Sequence, residues 1–124
     1  MSPPARLLAL RVAAGGVFVA FGIGKFVNHA SELASFRGYG LPAPAIFVLV
    51  IGVIEVVGGA LLIAGVWIRP VAIVLAADMV GAIIVSGLGR GELVSLTLAP
   101  AELAAMILLL ALHPGPRATR PDPR

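Results

Sequence analysis

The chain has 124 residues, of which 60% are hydrophobic and 12% are charged, and its mean hydropathy is +1.08. Because an ordinary soluble domain carries about 25% charged residues, this chain cannot cover its surface with polar groups in water, which excludes a soluble fold. The net charge of +3 does not indicate nucleic-acid binding, since the nine basic residues are scattered between apolar segments and form no dense run.

Four apolar segments are each close to the roughly 20 residues that a helix needs to cross a bilayer. They cover about residues 7–27, 44–68, 70–88 and 93–112. Arg69-Pro70 and the glycine-rich residues 87–91 supply two of the turns between them. We therefore predict an all-α integral membrane four-helix bundle that forms one transmembrane domain over residues 1–112.

The longest connection, residues 28–42, follows the first span. Leu33, Phe36 and Tyr39 recur there at helical spacing, so we expect a short interfacial helix or loop. Tyr39 and Trp67, both near the ends of apolar segments, are expected to anchor the chain at the membrane surface. Residues 113–124 are rich in proline and charge, which predicts a disordered tail.

An even number of spans places both termini on one side of the membrane. Six arginines then lie on that side: Arg6, Arg11, Arg69, Arg117, Arg120 and Arg124. Three bases lie on the other: Lys25, Arg37 and Arg90. The positive-inside rule therefore predicts cytoplasmic termini.

Ionisable residues inside the spans are the most informative feature of the chain. Glu55, Asp78 and Glu102 lie near the middle of the second, third and fourth spans, and so at a common depth. Arg11 and Lys25 share one face of the first span, which we expect to point inward. A charge at the bilayer centre costs about 3 kcal/mol and normally faces the bundle interior. The sequence therefore predicts one buried ionisable cluster formed by all five residues.

Small residues in the first two spans predict close helix packing. Gly22 on the first span and Gly52, Gly58 and Gly59 on the second would let a neighbouring backbone approach. Pairs of small residues four positions apart fit internal packing and a homo-oligomer equally well, namely Ala60/Ala64, Ala77/Gly81 and Ala82/Ser86.

Two interpretations of the buried cluster are open. In the first, the three acids pair with the two bases or with backbone donors and only hold the helices together. In the second, the excess of acids over bases leaves at least one carboxyl group protonated or holding a cation. A neutral acid in a dry bundle is what a proton relay, or a hydrogen-bond donor to a quinone carbonyl, would use.

The composition restricts the redox chemistry of the chain itself. Cysteine is absent, which excludes a dithiol relay, iron–sulfur ligation and Cys-type zinc sites. The two histidines, His29 and His113, lie just outside apolar segments, which argues against a bis-histidine haem within the membrane. We expect no metal site.

Several motifs resemble those of a known family. They are Arg11 with Phe21-Gly-Ile-Gly-Lys-Phe26, Phe36 with Gly40-Leu-Pro42, and Gly52-x-x-Glu55-x-x-Gly58-Gly59. This combination is similar to the DoxX family of small bacterial membrane proteins. The resemblance implies a four-span bundle in the bacterial cytoplasmic membrane and a link to quinone reductases and redox-stress complexes. It carries over to Lys25, Glu55, Gly58 and Gly59 only, whereas the roles of Asp78 and Glu102 rest on their depth.

Three functions are compatible with these observations. The first is a small membrane subunit that binds a quinone or docks a redox-enzyme partner, so that any enzymatic role is that of an accessory subunit of a quinone-linked oxidoreductase. The second is a non-enzymatic membrane scaffold or assembly factor. The third is a small proton-coupled transporter or lipid-binding bundle.

Overall fold

The computed structural model describes residues 2–113, so the predicted disordered tail lies, except for His113, outside the described residues. Within this range the chain is helical and contains no β-strand. The helices are α1 (Pro3–Val27), α2 (His29–Gly38), α3 (Pro44–Ala64), α4 (Ile68–Ala82), which continues as a π-helix over Ile83–Leu88, and α5 (Leu93–Leu112).

Four helical segments are long and apolar enough to cross a membrane: Pro4–Val27, Pro44–Ala64, Ile68–Leu88 and Leu93–Leu112. Their outward residues, such as Val53, Val57 and Ile107, are half exposed, as contact with lipid requires. The prediction of an all-α membrane bundle with a short helix between the first two spans is confirmed.

The four long helices form a closed ring. The largest contacts join α1 to α3 and α4 to α5, and smaller contacts of α3 with α4 and of α1 with α5 complete the ring. The short helix α2 packs on α3 and α1. We call the side of the bundle that carries α2 and the turn between α4 and α5 the α2 side, and the opposite side, which carries both ends of the described chain, the terminal side.

The boundary between the second and third spans differs from the predicted one. The apolar run continues to residue 68, but α3 already ends at Ala64 because Gly65 adopts a left-handed conformation with φ of 79°. The next helix begins at Ile68 and therefore includes Pro70, which was predicted to lie in the turn or at its edge. Proline fits there because the first turn of a helix has no backbone N–H partners to lose.

Glycines bring α1 and α3 into close contact. A Cβ atom on Gly15 would lie 2.6 Å from the carbonyl oxygen of Gly59, and one on Gly22 would lie 2.9 Å from that of Gly52. Gly58, on another face of α3, receives the side chain of Leu75 from α4. The structure thus places all four predicted packing glycines at contacts between helices.

The end of the third span is a π-helix, which apolar periodicity does not predict. It includes two buried residues, Ser86 and Gly87. π-helical turns insert an extra residue into a helix and often lie at functional sites. Here the π-helix borders the cavity described below.

The interior of the bundle is divided into two halves. Towards the terminal side it is an apolar core, whose fully buried members include Leu62, Ala72, Leu75, Met106 and Leu109. From mid-depth towards the α2 side, the buried residues include polar ones, namely Lys25, Glu55, Ser86, Ser95 and Glu102.

Candidate functional site: a cavity lined by carboxyl groups

A cavity of about 650 Å³ lies in the polar half of the bundle. We call it the central cavity. All four long helices and α2 contribute to its wall. It is lined by five carboxyl groups: Glu32, Glu55, Asp78, Glu92 and Glu102. It is also lined by five aromatic rings: Phe18, Phe21, Phe36, Tyr39 and Phe47.

Lys25 and Glu55 form a buried ion pair across the interface of α1 and α3. The distance from Lys25 Nζ to Glu55 Oε1 is 2.8 Å, and the two residues are 8% and 4% exposed. The backbone of Lys25 lies in the last turn of α1, near the α2 side, so its long side chain extends into the bundle to reach Glu55. It is the one salt bridge among residues 2–113.

Asp78 and Glu102 bring two more carboxyl groups to the same layer. Asp78 and Glu102 line the same cavity as Glu55. Asp78 Oδ2 and Glu102 Oε2 are buried and have no hydrogen-bond partner among the described residues. The structure thus brings together four of the five residues of the predicted cluster, with three acids and one base.

Arg11 lies apart from this cluster, so its predicted membership was wrong. Its guanidinium group donates hydrogen bonds to the carbonyl oxygens of Leu62 (2.9 Å) and Ile63 (3.2 Å) at the end of α3. The last carbonyl groups of a helix lack partners within the helix and carry partial negative charge, which attracts a cation. Fourteen residues separate Arg11 from Lys25, which is about 21 Å along a helix.

A hydrogen bond that the sequence analysis missed closes the cavity on the α2 side. The hydroxyl group of Tyr39 donates to the carboxylate of Glu92, at 2.8 and 3.0 Å from its two oxygens. Beside it, Arg90 donates to the carbonyl oxygen of Gly38 at 3.1 Å. Both contacts join the end of α2 to the turn between α4 and α5. Their partners lie more than fifty residues apart, so sequence spacing held no signal for them.

The surroundings of Tyr39 keep its hydroxyl group protonated. Burial, followed by the hydrogen bond to Glu92 and the charge of that carboxylate, raises the pKa of Tyr39 to about 12. The ring packs against Phe36, with 5.1 Å between ring centroids. Tyr39 is therefore part of the cavity wall and does more than anchor the chain at the surface, whereas Trp67, which is 72% exposed, has the exposure of a surface anchor.

Two serine hydroxyl groups lie between this closure and the mid-depth carboxyl groups. Ser86 on the π-helix and Ser95 on α5 are in direct hydrogen-bond contact, and Ser86 also donates to the carbonyl oxygen of Ala82 at 2.7 Å. Ser95 lies on the same face of α5 as Glu102, as the sequence predicts, and both are buried.

The site can bind a ligand that is mainly apolar and carries a few polar atoms. Ligand cavities typically measure about 300–1,000 Å³ and combine apolar walls with a few polar groups, as this one does. In the part of the chain that the structure describes, no three acidic, histidine or cysteine residues are arranged to hold a metal ion.

Comparison with known proteins agrees with the resemblance noted in the motifs. The family model described as DoxX matches residues 6–88. A protein of Mycobacterium tuberculosis named "Uncharacterized membrane protein Rv3486" is 37% identical over 87 residues, which are 68% of this chain and 53% of that protein. The chain thus spans about half the length of this relative.

A second relative comes from Bacillus subtilis and is named "Putative oxidoreductase CatD". It is 32% identical over 106 residues, which are 86% of this chain and 74% of that protein. No solved structure matches the chain. The family match and these two relatives, together with the four apolar helices, show that the chain belongs to the DoxX family of membrane proteins.

Proposed function

We propose that the protein is a small membrane subunit of a redox system and that it binds a quinone in the central cavity. One observation carries the proposal: the cavity joins aromatic and aliphatic walls to unpartnered carboxyl oxygens at the middle of the membrane. The printed name of the Bacillus subtilis relative, "Putative oxidoreductase CatD", supports the redox assignment.

The polar groups of the cavity suit the headgroup of a quinone. A quinone ring is flat and apolar, and its two carbonyl oxygens accept hydrogen bonds. Donors are available from the Lys25 ammonium group and from Asp78 or Glu102 whenever either acid carries a proton. The ring would pack against Phe18 and Phe36, whose side chains are buried in the cavity wall.

The cavity wall reaches the lipid-facing surface, which suits a ligand that arrives through the membrane. Phe21, Phe47, Leu93 and Val94 line the cavity and are also exposed on the outside of the bundle. A ligand with an apolar tail can therefore leave the tail in lipid while its headgroup lies inside. The chain has no cysteine and therefore no thiol–disulfide couple of its own, and the proposal assigns the electrons for quinone reduction to a partner enzyme.

The proposed location is the bacterial cytoplasmic membrane, with both termini in the cytoplasm. The bases of the described terminal side, Arg6, Arg11 and Arg69, together with those of the tail, outnumber those of the α2 side. A soluble redox partner in the cytoplasm would then meet the terminal side of the bundle.

Quinone binding is tested by calorimetry on the purified protein in lipid nanodiscs, with short-chain ubiquinone and menadione as ligands. We expect Glu102→Leu to lower the affinity about tenfold, which is about 1.4 kcal/mol or one hydrogen bond. Thr97→Val is the matched control, since Thr97 lies on the same helix but is exposed and does not line the cavity. The proposal would be contradicted if neither quinone bound, or if Glu102→Leu and Thr97→Val lowered the affinity equally.

The Lys25–Glu55 ion pair also favours a second function, that of a membrane scaffold. In this function, the sole role of the buried pair that joins α1 to α3 is to specify how these helices pack. In that case substitution of Glu55 by glutamine lowers the stability or the expression of the protein, and no variant of the cavity wall changes quinone binding.

A further inference from the structure

Polar side chains line the central cavity from the α2 side to mid-depth. At the α2 side, Tyr39 donates its hydroxyl hydrogen to Glu92, which is partly exposed. Ser86 lines the same cavity as Tyr39 and is the next hydroxyl group towards α5. A hydroxyl group both donates and accepts hydrogen bonds, so each of these residues can receive a proton on one side and release one on the other.

The serine pair continues this line to α5. Because Ser86 donates its hydrogen to Ala82, the hydrogen in its contact with Ser95 belongs to Ser95. The π-helix supports the arrangement by placing both Ser86 and Gly87 against α5, where a Cβ on Gly87 would lie 3.2 Å from the Ser95 carbonyl oxygen.

The last part of the line runs from Ser95 to Glu102. Seven residues separate them, which is about 10 Å along the helix and can be spanned by two or three water molecules. Between them Ala99, with its small side chain, lines the cavity. A buried water needs polar partners, which Ser95 Oγ and the unpartnered Glu102 Oε2 would provide.

Among residues 2–113, no comparable row of buried polar side chains leads to the terminal side. Below the carboxyl layer the described interior consists of apolar side chains, and Leu62, Leu75, Met106 and Leu109 among them are fully buried. Proton movement needs groups that donate and accept hydrogen bonds, which these side chains cannot do.

We propose that protons reach the mid-depth carboxyl groups from the α2 side alone, along Glu92, Tyr39, Ser86 and Ser95 to Glu102. The physiological use of this proton path rests on the proposed quinone site, where a quinone that is reduced to a quinol takes up two protons with two electrons. The path itself is a property of the bundle and exists without the ligand.

Other charged groups surround both ends of the proton path. Those that face it are Glu32 on α2, Arg90 beside Gly38, Lys25 on α1, Glu55 on α3 and Asp78 on α4. Lys25 is held by Glu55 and stands beside the path. The raised pKa of Tyr39 keeps the phenol protonated at neutral pH, as a relay that passes on its own proton requires.

The test uses infrared spectroscopy of the full chain in proteoliposomes, with no quinone present. The vesicles are reconstituted with no more than one copy of the Ala34→Cys protein each, and only those whose cysteine is accessible from outside are captured on a thiol-reactive surface, so that every captured copy has its α2 side outward. The C=O band of protonated Glu102 is identified by its loss in Glu102→Gln. We expect the intensity of this band to change with the pH outside the vesicle and not with the pH inside.

Removal of the hydroxyl groups tests the route itself. Tyr39→Phe combined with Ser95→Ala keeps the size of both side chains nearly unchanged. After a jump in the outer pH, we expect the Glu102 band to change about tenfold more slowly, or slower still, in this double variant. Thr97→Val, which removes a hydroxyl of the same helix outside the cavity, should leave the rate unchanged.

A band that follows the inner pH, a band that never titrates, or an equal rate in the double variant would overturn the proton path. Because no quinone is used, its failure is distinct from that of the proposed function. If quinone binds but the Glu102 band follows the inner pH, only the proton path is refuted. If the band follows the outer pH but no quinone binds, only the quinone site is refuted.

Discussion

At the scale of single residues, the contact of Lys25 with Glu55 decides the electrostatics of the bundle interior. Removing two charges from water is expensive, and their mutual attraction offsets this only at close range and in good geometry. The 2.8 Å distance meets that condition. Once Lys25 is engaged by Glu55, Asp78 and Glu102 remain without a cation at mid-depth.

The ion pair predicts a large effect of removing one partner. Lys25→Met leaves Glu55 buried without a cation, and we expect it to lower the free energy of unfolding by about 3–5 kcal/mol. Unfolding of the purified protein in mixed micelles, followed by circular dichroism, measures this loss. Arg37→Met, at an exposed position on α2, is the control and should have little effect.

A second variant separates the charge from the packing. Lys25→Met combined with Glu55→Met removes both charges and should recover most of the lost stability, because no unpaired charge remains. If Lys25→Met alone cost less than about 1 kcal/mol, the pair would behave like one exposed to water.

At the scale of helices, the contact of α1 with α3 depends on backbone surfaces that carry no side chain. Gly15 meets Gly59 and Gly22 meets Gly52, two helical turns apart on the same face. Lipid tails are as apolar as leucine, so close van der Waals packing replaces the hydrophobic effect as the force that associates helices. This contact also positions Lys25 of α1 opposite Glu55 of α3.

The same substitution at two neighbouring glycines of α1, Gly15 and Gly16, tests whether α1 and α3 are in close contact. Gly15→Ala would place a Cβ 2.6 Å from a backbone oxygen, and we expect it to cost about 1–3 kcal/mol of stability through overpacking. Gly16→Ala meets open space and should be neutral or stabilising by up to about 1 kcal/mol, since alanine favours the helix. Thermal unfolding in one detergent compares the two, and equal effects would show that α1 and α3 do not approach so closely.

At the scale of the whole molecule, the bundle is asymmetric along the membrane normal. The terminal half is an apolar core, and the α2 half holds the cavity, its carboxyl groups and the Tyr39–Glu92 closure. Among the described residues each side carries three bases, with Arg6, Arg11 and Arg69 on the terminal side and Lys25, Arg37 and Arg90 on the α2 side. The orientation of the protein therefore decides to which compartment the cavity is nearer.

Cysteine labelling tests the orientation. The chain has no cysteine, so single cysteines can be introduced without background labelling. We expect a membrane-impermeant maleimide added to intact cells to label Ala34→Cys on α2, because cytoplasmic termini place this helix outside. Ala64→Cys, at the exposed end of α3, should be labelled only after the membrane is opened. The reverse result would place the cavity nearer the cytoplasm.

Composition and periodicity are enough to establish the class of fold and the depth of the buried acids. Lipid demands long apolar helices, so a pattern of four such segments leaves little choice of architecture, and a residue's distance from the segment end gives its depth. For this reason Glu55, Asp78 and Glu102 could be assigned to one layer before any contact was known. The inward faces of the first two spans followed from helical periodicity in the same way.

The choice of partners depends instead on which helices are neighbours, and a linear pattern does not contain that information. Arg11 and Lys25 share a face of α1, yet one meets the end of α3 and the other its middle, because each reaches the nearest negative charge at its own depth. The contact of Tyr39 with Glu92 likewise exists only because folding brings two distant turns to the same side of the membrane.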